Sequence, residues 1–327
     1  AEVHSRRMDK FVAENTLFVV VLAGIGATVI WGLVSKMTDF VMTYFLRGSA
    51  NVKKLGSWAV VTGATDGIGK AVAFELAKKG MNIMLVSRTA MKLQEVKEEI
   101  AEKFSGIEIK MVPYDFAKAT KSDFDNLKDQ VGKLEVGLLY NNVGISYEHA
   151  EYLQDISEER VDAIIEVNNR QLVKMTRMVL PQMLARKKGA IVNIGSAEGC
   201  IPAPFYVLYG ASKAFVEWFT KDLAGELKNT GVTVQAHVPN YVATKMAIPN
   251  EKRRKGTFFC PWPEVWAKAS LAHIGSTPIS IPYWPHALQL GALQMLPWSL
   301  QEYIRYGMSV KIRKIALKKK EAAAKGQ

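Results

Sequence analysis

The feature that most constrains the fold is an alternation of short β-branched runs with longer amphipathic segments, which begins after Gly56. This alternation is typical of a parallel sheet whose strands are joined by helical crossovers. The predicted strands cover residues 58–63, 82–88, 109–115, 136–142, 189–196 and 232–239. The sequence therefore predicts an α/β fold with a doubly wound parallel sheet, in which ligands bind at the carboxyl ends of the strands.

An apolar segment precedes the sheet. The 21 residues Asn15–Ser35 carry no charge, and about 20 apolar residues are what a helix needs to cross a bilayer. We predict an N-terminal transmembrane helix; a signal peptide and a buried core helix are the competing interpretations. Basic residues flank both sides of the segment, so their distribution does not determine its orientation.

The predicted organisation has four parts. Residues 1–50 form a membrane anchor and linker, residues 51–247 the catalytic domain, residues 248–300 a substrate lid near the membrane, and residues 301–327 a basic tail. No regular periodicity is evident beyond Lys245, where proline, tryptophan and basic residues are concentrated.

The chain has 327 residues and a formal charge of +12, with eight basic and two acidic residues after position 300. No nucleic-acid recognition motif accompanies this charge. The tail is interpreted as a contact with anionic lipid or as a solvated terminus. Cys200 and Cys260 form no CxxC pair and the five histidines are scattered, so we predict reduced thiols and no metal site.

A glycine-rich turn directly follows the first predicted strand and opens a helix. Its sequence from Thr62 to Gly69 is TGATDGIG. The glycines permit a tight turn and a close approach of the backbone to a pyrophosphate, which the helix N-terminus stabilises. Its position between strand and helix indicates a dinucleotide site on a Rossmann-type sheet.

The residues after the second and third strands indicate which dinucleotide binds. Arg88 stands where an NAD-binding protein normally has a carboxylate for the ribose 2′-hydroxyl, and an arginine suits a 2′-phosphate. The sequence thus predicts NADPH/NADP+ as the cofactor. The alternative interpretation is that Arg88 is a solvated surface charge. Asp115 is expected either to accept a hydrogen bond from the adenine amino group or to cap the next segment.

Ser196, Tyr209 and Lys213 predict the chemistry. Tyr209 and Lys213 are four residues apart, which places both on one face of a helix. A nearby ammonium is expected to lower the pKa of the phenol, so that Tyr209 exchanges a proton near neutral pH. Ser196 ends a strand and is expected to bind the oxygen of a carbonyl substrate.

These motifs, together with Asn141-Asn142-Val143-Gly144, occur in an order that resembles the short-chain dehydrogenase/reductase superfamily over residues 56–247. The resemblance implies a catalytic set of Asn168, Ser196, Tyr209 and Lys213, with Ser196 also binding substrate. Asn169 is the neighbour with which Asn168 is easily confused. The implied cofactor-binding residues are Gly63, Thr65, Asp66, Gly67, Ile68, Gly69, Arg88, Asp115, Asn141, Tyr209, Lys213, Pro239, Val242 and Thr244.

Further segments, among them WAVVTGATDGIGK and VKMTRMVLPQM, look like the membrane-bound branch that contains 17β-hydroxysteroid dehydrogenases and very-long-chain 3-oxoacyl-CoA reductases. This resemblance implies residence in the endoplasmic reticulum membrane with the catalytic domain facing the cytosol. It also implies a homodimer, and elongation enzymes are possible partners. The expected reaction is reduction of long-chain 3-oxoacyl-CoA in fatty-acid elongation; the alternatives are 17-ketosteroid reduction and a noncatalytic NADP-binding membrane scaffold.

The predicted lid contains a basic run, Lys252-Arg253-Arg254-Lys255, followed by Phe258, Phe259, Trp262 and Trp266. One hypothesis is that the cations bind the phosphates of coenzyme A while the aromatic residues shelter an acyl chain. The alternative is a solvated loop at the membrane surface.

Overall fold

The computed structural model describes residues 2–48 and 50–325, and the chain divides into two compact units after Gly48. The first unit is a helix, α1 (Glu2–Val41), which continues as a π-helical turn over Met42–Leu46. Its segment Phe18–Leu46 has 29 residues, and an 18-residue stretch within it has a mean hydropathy of 2.2 and no buried part. It is thus long and apolar enough to cross a membrane.

The second unit is built on a seven-stranded sheet in which every strand pair is parallel. The spatial order is β3-β2-β1-β4-β5-β6-β7. The strands are β1 (Trp58–Thr62), β2 (Asn82–Ser87), β3 (Ile109–Pro113), β4 (Val136–Asn141), β5 (Gly189–Ile194), β6 (Val232–His237) and β7 (Ile279–Ser280). This order confirms the predicted doubly wound sheet, and the strand order reverses between β1 and β4.

Helices cover both faces of the sheet, because the central strands direct apolar side chains to each face. One core cluster joins Val61 and Leu85 to α2, α3 and α9, and the other joins Val60 and Met84 to α4 and α6. The helices are α2 (Gly67–Lys78), α3 (Ala90–Lys103), α4 (Lys121–Gly132), α5 (Glu158–Ile165), α6 (Gln171–Ala185), α7 (Ala197–Cys200), α8 (Val207–Glu226), α9 (Pro263–Ala272), α10 (Trp284–Gln294) and α11 (Trp298–Lys325).

Residues 248–300 have more regular structure than the sequence predicted. They contain α9, β7 and α10, and Trp266 of α9 is fully buried against the sheet. Trp266 therefore belongs to the core and is not available to shelter an acyl chain. The prediction failed because β7 is only two residues long and α9 begins at a proline, so neither shows a clear periodicity.

A buried polar network fixes α9 to the sheet. Ser270 Oγ lies 2.5 Å from the Tyr140 hydroxyl of β4 and 2.8 Å from His237 Nδ1 of β6. Each partner is fully buried, so the network satisfies polar groups that would otherwise be costly to desolvate.

The predicted boundary at residue 300 falls inside α11. Successive positions four apart, Gln301, Arg305 and Ser309, are buried, whereas Tyr303 is 77% exposed. The first half of α11 thus turns a polar stripe inward and aromatic and aliphatic side chains outward. Residues 301–325 are therefore part of a helix that begins at Trp298, and the prediction of a separate tail is corrected for them. Residues 326–327 of the predicted tail lie outside the described residues.

Candidate active site

The glycine-rich turn closes tightly between β1 and α2. Gly63 and Gly67 have positive φ angles of 63° and 54°, a region that glycine enters without strain. A Cβ at Gly69 would lie 2.3 Å from the Gly63 carbonyl oxygen. Asp66 caps α2, its Oδ1 accepting a hydrogen bond from the Gly67 N–H at 2.7 Å. Ile68 packs partly buried against the core.

The turn is joined to the loop after β4. Asn142 Nδ2 donates to the Thr62 carbonyl oxygen at 3.0 Å, and Thr62 Oγ1 accepts from the Asn142 and Val143 amides at 2.9 and 3.0 Å. These bonds bridge β1 and β4, where the strand order reverses and open α/β sheets bind their ligands.

The carboxyl end of β2 carries no acidic side chain. Ser87 Oγ lies 3.0 Å from Thr65 Oγ1 of the glycine-rich turn, and Arg88 beside it is exposed. The hydroxyls and the guanidinium together suit a phosphate better than a ribose hydroxyl. Asp115 lies just beyond β3, and its Oδ1 accepts from the Ala117 amide at 3.0 Å, which is the capping contact considered from the sequence.

The segment after β6 lies against the same turn. A Cβ at Gly67 would come within 3.0 Å of Thr244 Cγ2. Val242 is buried in the core cluster, and the Pro239 carbonyl accepts from the Ala197 amide at 2.9 Å. The structure thus brings Pro239, Val242 and Thr244 to the edge of the sheet that holds the glycine-rich turn.

Ser196 and Tyr209 lie beside each other at this edge. Ser196 caps the short helix α7, and its Oγ accepts from the Glu198 amide at 3.2 Å. Burial raises the pKa of Tyr209 to about 12, and the Ser196 hydroxyl, which lowers this pKa, only partly offsets the rise. The predicted lowering of this pKa is therefore wrong in this structure, because desolvation of the phenolate outweighs the other influences.

Lys213 is buried one turn after Tyr209. Its Nζ donates to the Ile194 carbonyl oxygen at 2.8 Å and lies 5.9 Å from the centre of the Tyr209 ring. Burial lowers the pKa of Lys213 to about 8. A Cβ at Gly144 would lie 3.4 Å from Lys213 Nζ and 3.5 Å from Asn168 Oδ1, so both polar groups converge on the loop after β4.

Asn168 lies in a π-helical turn, Glu166–Arg170, between α5 and α6; such turns are frequent at functional sites. Its Nδ2 donates to the Ile145 carbonyl and to Ser212 Oγ, both at 2.9 Å, and its Oδ1 accepts from the Ile145 amide at 2.9 Å. Asn169 donates to the Ser212 carbonyl instead. Asn168 is thus the asparagine that contacts the loop after β4.

The side chain of Asn141 is buried and engaged in the interior of the sheet. Its Nδ2 donates to Asn193 Oδ1 at 2.9 Å and to Thr176 Oγ1 at 3.2 Å, and Asn193 in turn donates to Thr220. This buried network links β4 and β5 to α6 and α8. A cofactor contact at Asn141 would therefore come from its backbone.

The residues present fit a nicotinamide dinucleotide. The glycine-rich turn allows a pyrophosphate to approach the N-terminus of α2, and the Thr65–Ser87–Arg88 group suits an anionic ribose substituent. The partly buried Ser196–Tyr209 pair is suited to bind and protonate a carbonyl oxygen. Fold and site together define a dinucleotide-dependent oxidoreductase.

The family follows from comparison with known sequences. Residues 57–255 match the family described as short chain dehydrogenase. The chain belongs to the short-chain dehydrogenase family, which confirms the family, the fold and the enzyme class expected from the motifs. The family requires a nicotinamide cofactor, as expected.

Curated relatives resemble the chain over most of its length. It is 41% identical over 92% of its length to a protein of Caenorhabditis elegans named very-long-chain 3-oxoacyl-CoA reductase, of which 95% is covered. A protein of the same name from Anas platyrhynchos is 44% identical, with 81% of this chain and 84% of the relative covered. A further Caenorhabditis elegans relative, named putative steroid dehydrogenase 3, is 40% identical, with 82% and 85% covered.

Solved structures share the fold. A short-chain dehydrogenase from Sphingobium yanoikuyae in complex with NADPH has a TM-score of 0.63 and 26% identity, covering 72% of this chain and 92% of that one. A 3-ketoacyl-(acyl-carrier-protein) reductase from Brucella melitensis complexed with NADH has a TM-score of 0.60 and 27% identity, with 69% and 96% covered.

Sequence reasoning missed three groups around the site. Asn142 and Ser212 stand beside predicted residues, in NNVG and in YGASK, so adjacency was the available signal. Arg305 had no such signal. It contacts Glu198, which lies 107 positions earlier in the chain.

Proposed function

We propose that the protein uses NADPH to reduce the 3-oxo group of long-chain and very-long-chain 3-oxoacyl-CoA to the 3-hydroxy group, in fatty-acid elongation. The observation that carries the chemistry is the placement of Ser196 beside Tyr209 at the carboxyl edge of the sheet, with Lys213 Nζ 5.9 Å from the centre of the Tyr209 ring. The substrate class is supported by the names of relatives at 41–44% identity that align over at least 81% of the chain.

Each residue has a distinct role in this proposal. Ser196 donates a hydrogen bond to the substrate oxygen, and the hydroxyl of Tyr209 supplies the proton. Because burial keeps Tyr209 protonated far above neutral pH, the phenol is in the form that reduction requires. Lys213 and Asn168, which converge near Gly144, replenish the proton. When bound, NADPH supplies the hydride.

The proposed preference for NADPH depends on Arg88, with Thr65 and Ser87 beside it. An exposed guanidinium at the end of β2 forms a charge-assisted pair with the 2′-phosphate of NADPH. NADH has no 2′-phosphate and cannot form this pair. Arg88→Ala should therefore raise the Kd for NADPH by about tenfold or more and change the Kd for NADH little. Equal weakening for both cofactors would contradict the role.

For the substrate, we propose that the exposed cations Lys252, Arg253 and Lys255 bind the coenzyme A phosphates. Arg254 differs, because its Nε donates to the Ile248 carbonyl at 3.1 Å. Phe258, Phe259 and Trp284 form a half-exposed aromatic cluster nearby, with ring centres 5.0 and 5.1 Å apart. This cluster, without Trp266, is the apolar surface that we assign to the acyl chain.

The charge hypothesis is tested by replacing these three cations with glutamine. The KM for a 3-oxoacyl-CoA should rise about tenfold or more because three charge-assisted contacts are lost, whereas the KM for a neutral ketosteroid should not change. The matched control replaces the exposed residues Lys128, Lys133 and Lys228 with glutamine. It removes the same amount of charge from another part of the surface. An unchanged KM for the thioester, or an equal rise in the control, refutes the assignment.

The second candidate is 17-ketosteroid reduction, which the relative named putative steroid dehydrogenase 3 favours. The deciding experiment measures NADPH oxidation by the detergent-solubilised full chain with a long-chain 3-oxoacyl-CoA and a 17-ketosteroid at matched concentrations. A much larger kcat/KM for the thioester supports elongation. The reverse makes the protein a steroid reductase, and no oxidation with any carbonyl substrate favours the noncatalytic scaffold.

We further propose that α1 anchors the protein in the endoplasmic reticulum membrane with the catalytic unit facing the cytosol. The length and hydropathy of α1 support the anchor. Lys311, Lys314 and Lys318 share one face of α11 with Gly307 and Ile315, and lysines beside apolar groups suit an anionic lipid surface. Protease protection in sealed microsomes tests the orientation.

A homodimer is also part of the proposal, and α8 supports it. Phe215 and Trp218 of this helix are 43% and 63% exposed, and exposed apolar side chains mark interaction surfaces. Trp218→Glu should convert the detergent-solubilised dimer to a monomer in analytical ultracentrifugation. Pull-down from microsomes with the full chain tests association with other elongation enzymes.

A further inference from the structure

We propose that Arg305, on the C-terminal helix α11, is a positioning residue that holds Ser196 in place against Tyr209 through Glu198. This inference rests on the catalytic set of the proposed function but not on the identity of the substrate. It connects the last helix of the chain to a reaction that the motifs place between residues 196 and 213.

Arg305 bonds to two neighbouring segments. Its Nη2 donates to Glu198 Oε2 in α7, and its Nε donates to the Pro202 carbonyl at 3.2 Å. The side chains of Arg305 and Glu198 are only 7% and 17% exposed. One guanidinium therefore ties α7 and the loop after it to α11.

Glu198 transmits this contact to Ser196. The Glu198 amide donates to Ser196 Oγ at 3.2 Å, so the backbone that Arg305 holds also orients the hydroxyl beside Tyr209. α7 also packs closely against α8. A Cβ at Gly199 would lie 2.8 Å from the Ala214 amide nitrogen, and one at Gly210 would lie 3.0 Å from the Glu198 carbonyl oxygen. A shift of α7 therefore changes the Ser196–Tyr209 geometry directly.

The charge of Glu198 also acts at the site. It raises the pKa values of Tyr209 and Tyr241, and Arg305 opposes this effect at Tyr241. A carboxylate this deeply placed is costly without a paired cation. Arg305 thus neutralises an acidic group that the backbone of α7 brings next to the proton donor.

A second arginine on α11 provides the comparison. Arg313 Nε bonds to Glu151 Oε1 at 2.7 Å, and its guanidinium lies 4.8 Å from the Tyr152 ring centre. Its Nη2 also lies 3.7 Å from Asp155 Oδ2, so Arg313 docks the same helix onto residues 151–155, which do not belong to α7. Loss of Arg313 should weaken helix docking, but it should leave Ser196 in place.

The test uses the detergent-solubilised full chain and the best ketone substrate of the wild type. Arg305→Met should lower kcat by about 10- to 100-fold, the cost of a small misplacement of catalytic groups, with the Kd for NADPH within about threefold. Arg305→Lys keeps the charge but not both hydrogen bonds, so its kcat should be intermediate. Arg313→Met should keep kcat within about twofold, even where both variants lower Tm equally.

A double-mutant cycle separates positioning from general destabilisation. If Arg305 acts through Glu198, then Glu198→Ala should lower kcat to a similar extent, and the double variant should lose no more than either single variant. The double variant also leaves no unpaired buried charge, so it serves as the folded reference if Arg305→Met does not fold.

Three results would overturn the proposal. The first is a kcat within about twofold of wild type in Arg305→Met or in the double variant. The second is an equal loss of kcat in Arg313→Met, and the third is additive losses of kcat in the double-mutant cycle. Failure of the proposed substrate is a different result. It appears as a wild type that prefers another ketone, and the Arg305 comparison then proceeds with that ketone.

Discussion

At the scale of single residues, burial determines the state of the proton-transfer groups. Tyr209 and Lys213 stand one helical turn apart, yet Lys213 Nζ bonds to the Ile194 carbonyl and not to the phenol. Desolvation therefore disfavours the charged form of both groups, raising one pKa and lowering the other. In the proposed reaction the protonated phenol of Tyr209 is the proton donor, and the ammonium of Lys213 is the group that titrates nearer to neutral pH.

Tyr209→Phe removes the hydroxyl that we propose as the proton donor and leaves the aromatic ring in place. We expect kcat for ketone reduction to fall by about 100- to 10,000-fold, the usual contribution of a positioned general acid. The Kd for NADPH, measured by fluorescence titration, should stay within about threefold of wild type. Turnover that persists in this variant would refute the assignment of Tyr209.

The pH dependence of kcat/KM should report Lys213, because this ratio reflects ionisations of the free enzyme. The pKa of Lys213 is lowered to about 8, so the ammonium is lost as the pH rises through this value, whereas Tyr209 stays protonated until about 12. We expect kcat/KM to fall from about pH 8 upward with a single ionisation. A profile that is level up to pH 10 would contradict a role for the Lys213 charge.

At the scale of elements, the site depends on close contacts between backbone segments. The glycine-rich turn lies against the loop after β4, and α7 lies against α8, in both cases at glycines whose missing side chains permit the approach. These contacts place residues from four separate segments at one edge of the sheet. Rigid elements thus determine geometry that side chains alone do not fix.

Gly69→Ala tests the glycine-rich turn. The added Cβ would lie 2.3 Å from the Gly63 carbonyl and 2.5 Å from Asn142 Nδ2, so the turn must shift away from the loop after β4. We expect the Kd for NADPH to rise by about tenfold or more. The control is Gly225→Ala in α8, where a Cβ meets no atom within 4 Å; equal binding in the two variants would contradict the role of the close approach.

At the scale of the whole molecule, two buried histidines make the stability of the folded catalytic unit depend on pH. His237 of β6 bonds to Ser270 of α9, and His286 of α10 accepts from the Asn240 amide at 3.2 Å. Both are fully buried. Burial lowers the pKa of His237 to about 3 and that of His286 to about 4, so both are neutral in the folded protein at physiological pH.

Acid should therefore destabilise the fold before its catalytic groups titrate. The unfolded chain protonates both histidines below about pH 6.5, whereas the folded chain does not until pH 3–4. The free energy of unfolding should fall by about 1.4 kcal/mol per pH unit for each histidine across this window. Urea unfolding in detergent at pH 7.5 and 5.0 measures this loss, and His237→Gln should show about half of it. An identical pH dependence in the variant would contradict the assignment.

The sequence by itself predicted six of the seven strands, their parallel crossovers, the glycine-rich turn and the helical spacing of Tyr209 and Lys213, because strand and helix periodicities and the TGATDGIG and YGASK spacings are local. Only the tertiary structure decided that Trp266 belongs to the core, that the Asn141 side chain is engaged in the interior and that Arg305 reaches Glu198. It also reversed the expected direction of the Tyr209 pKa shift. The physical reason is that burial and long-range pairing depend on which segments pack together, and no local pattern in the chain encodes the desolvation that results.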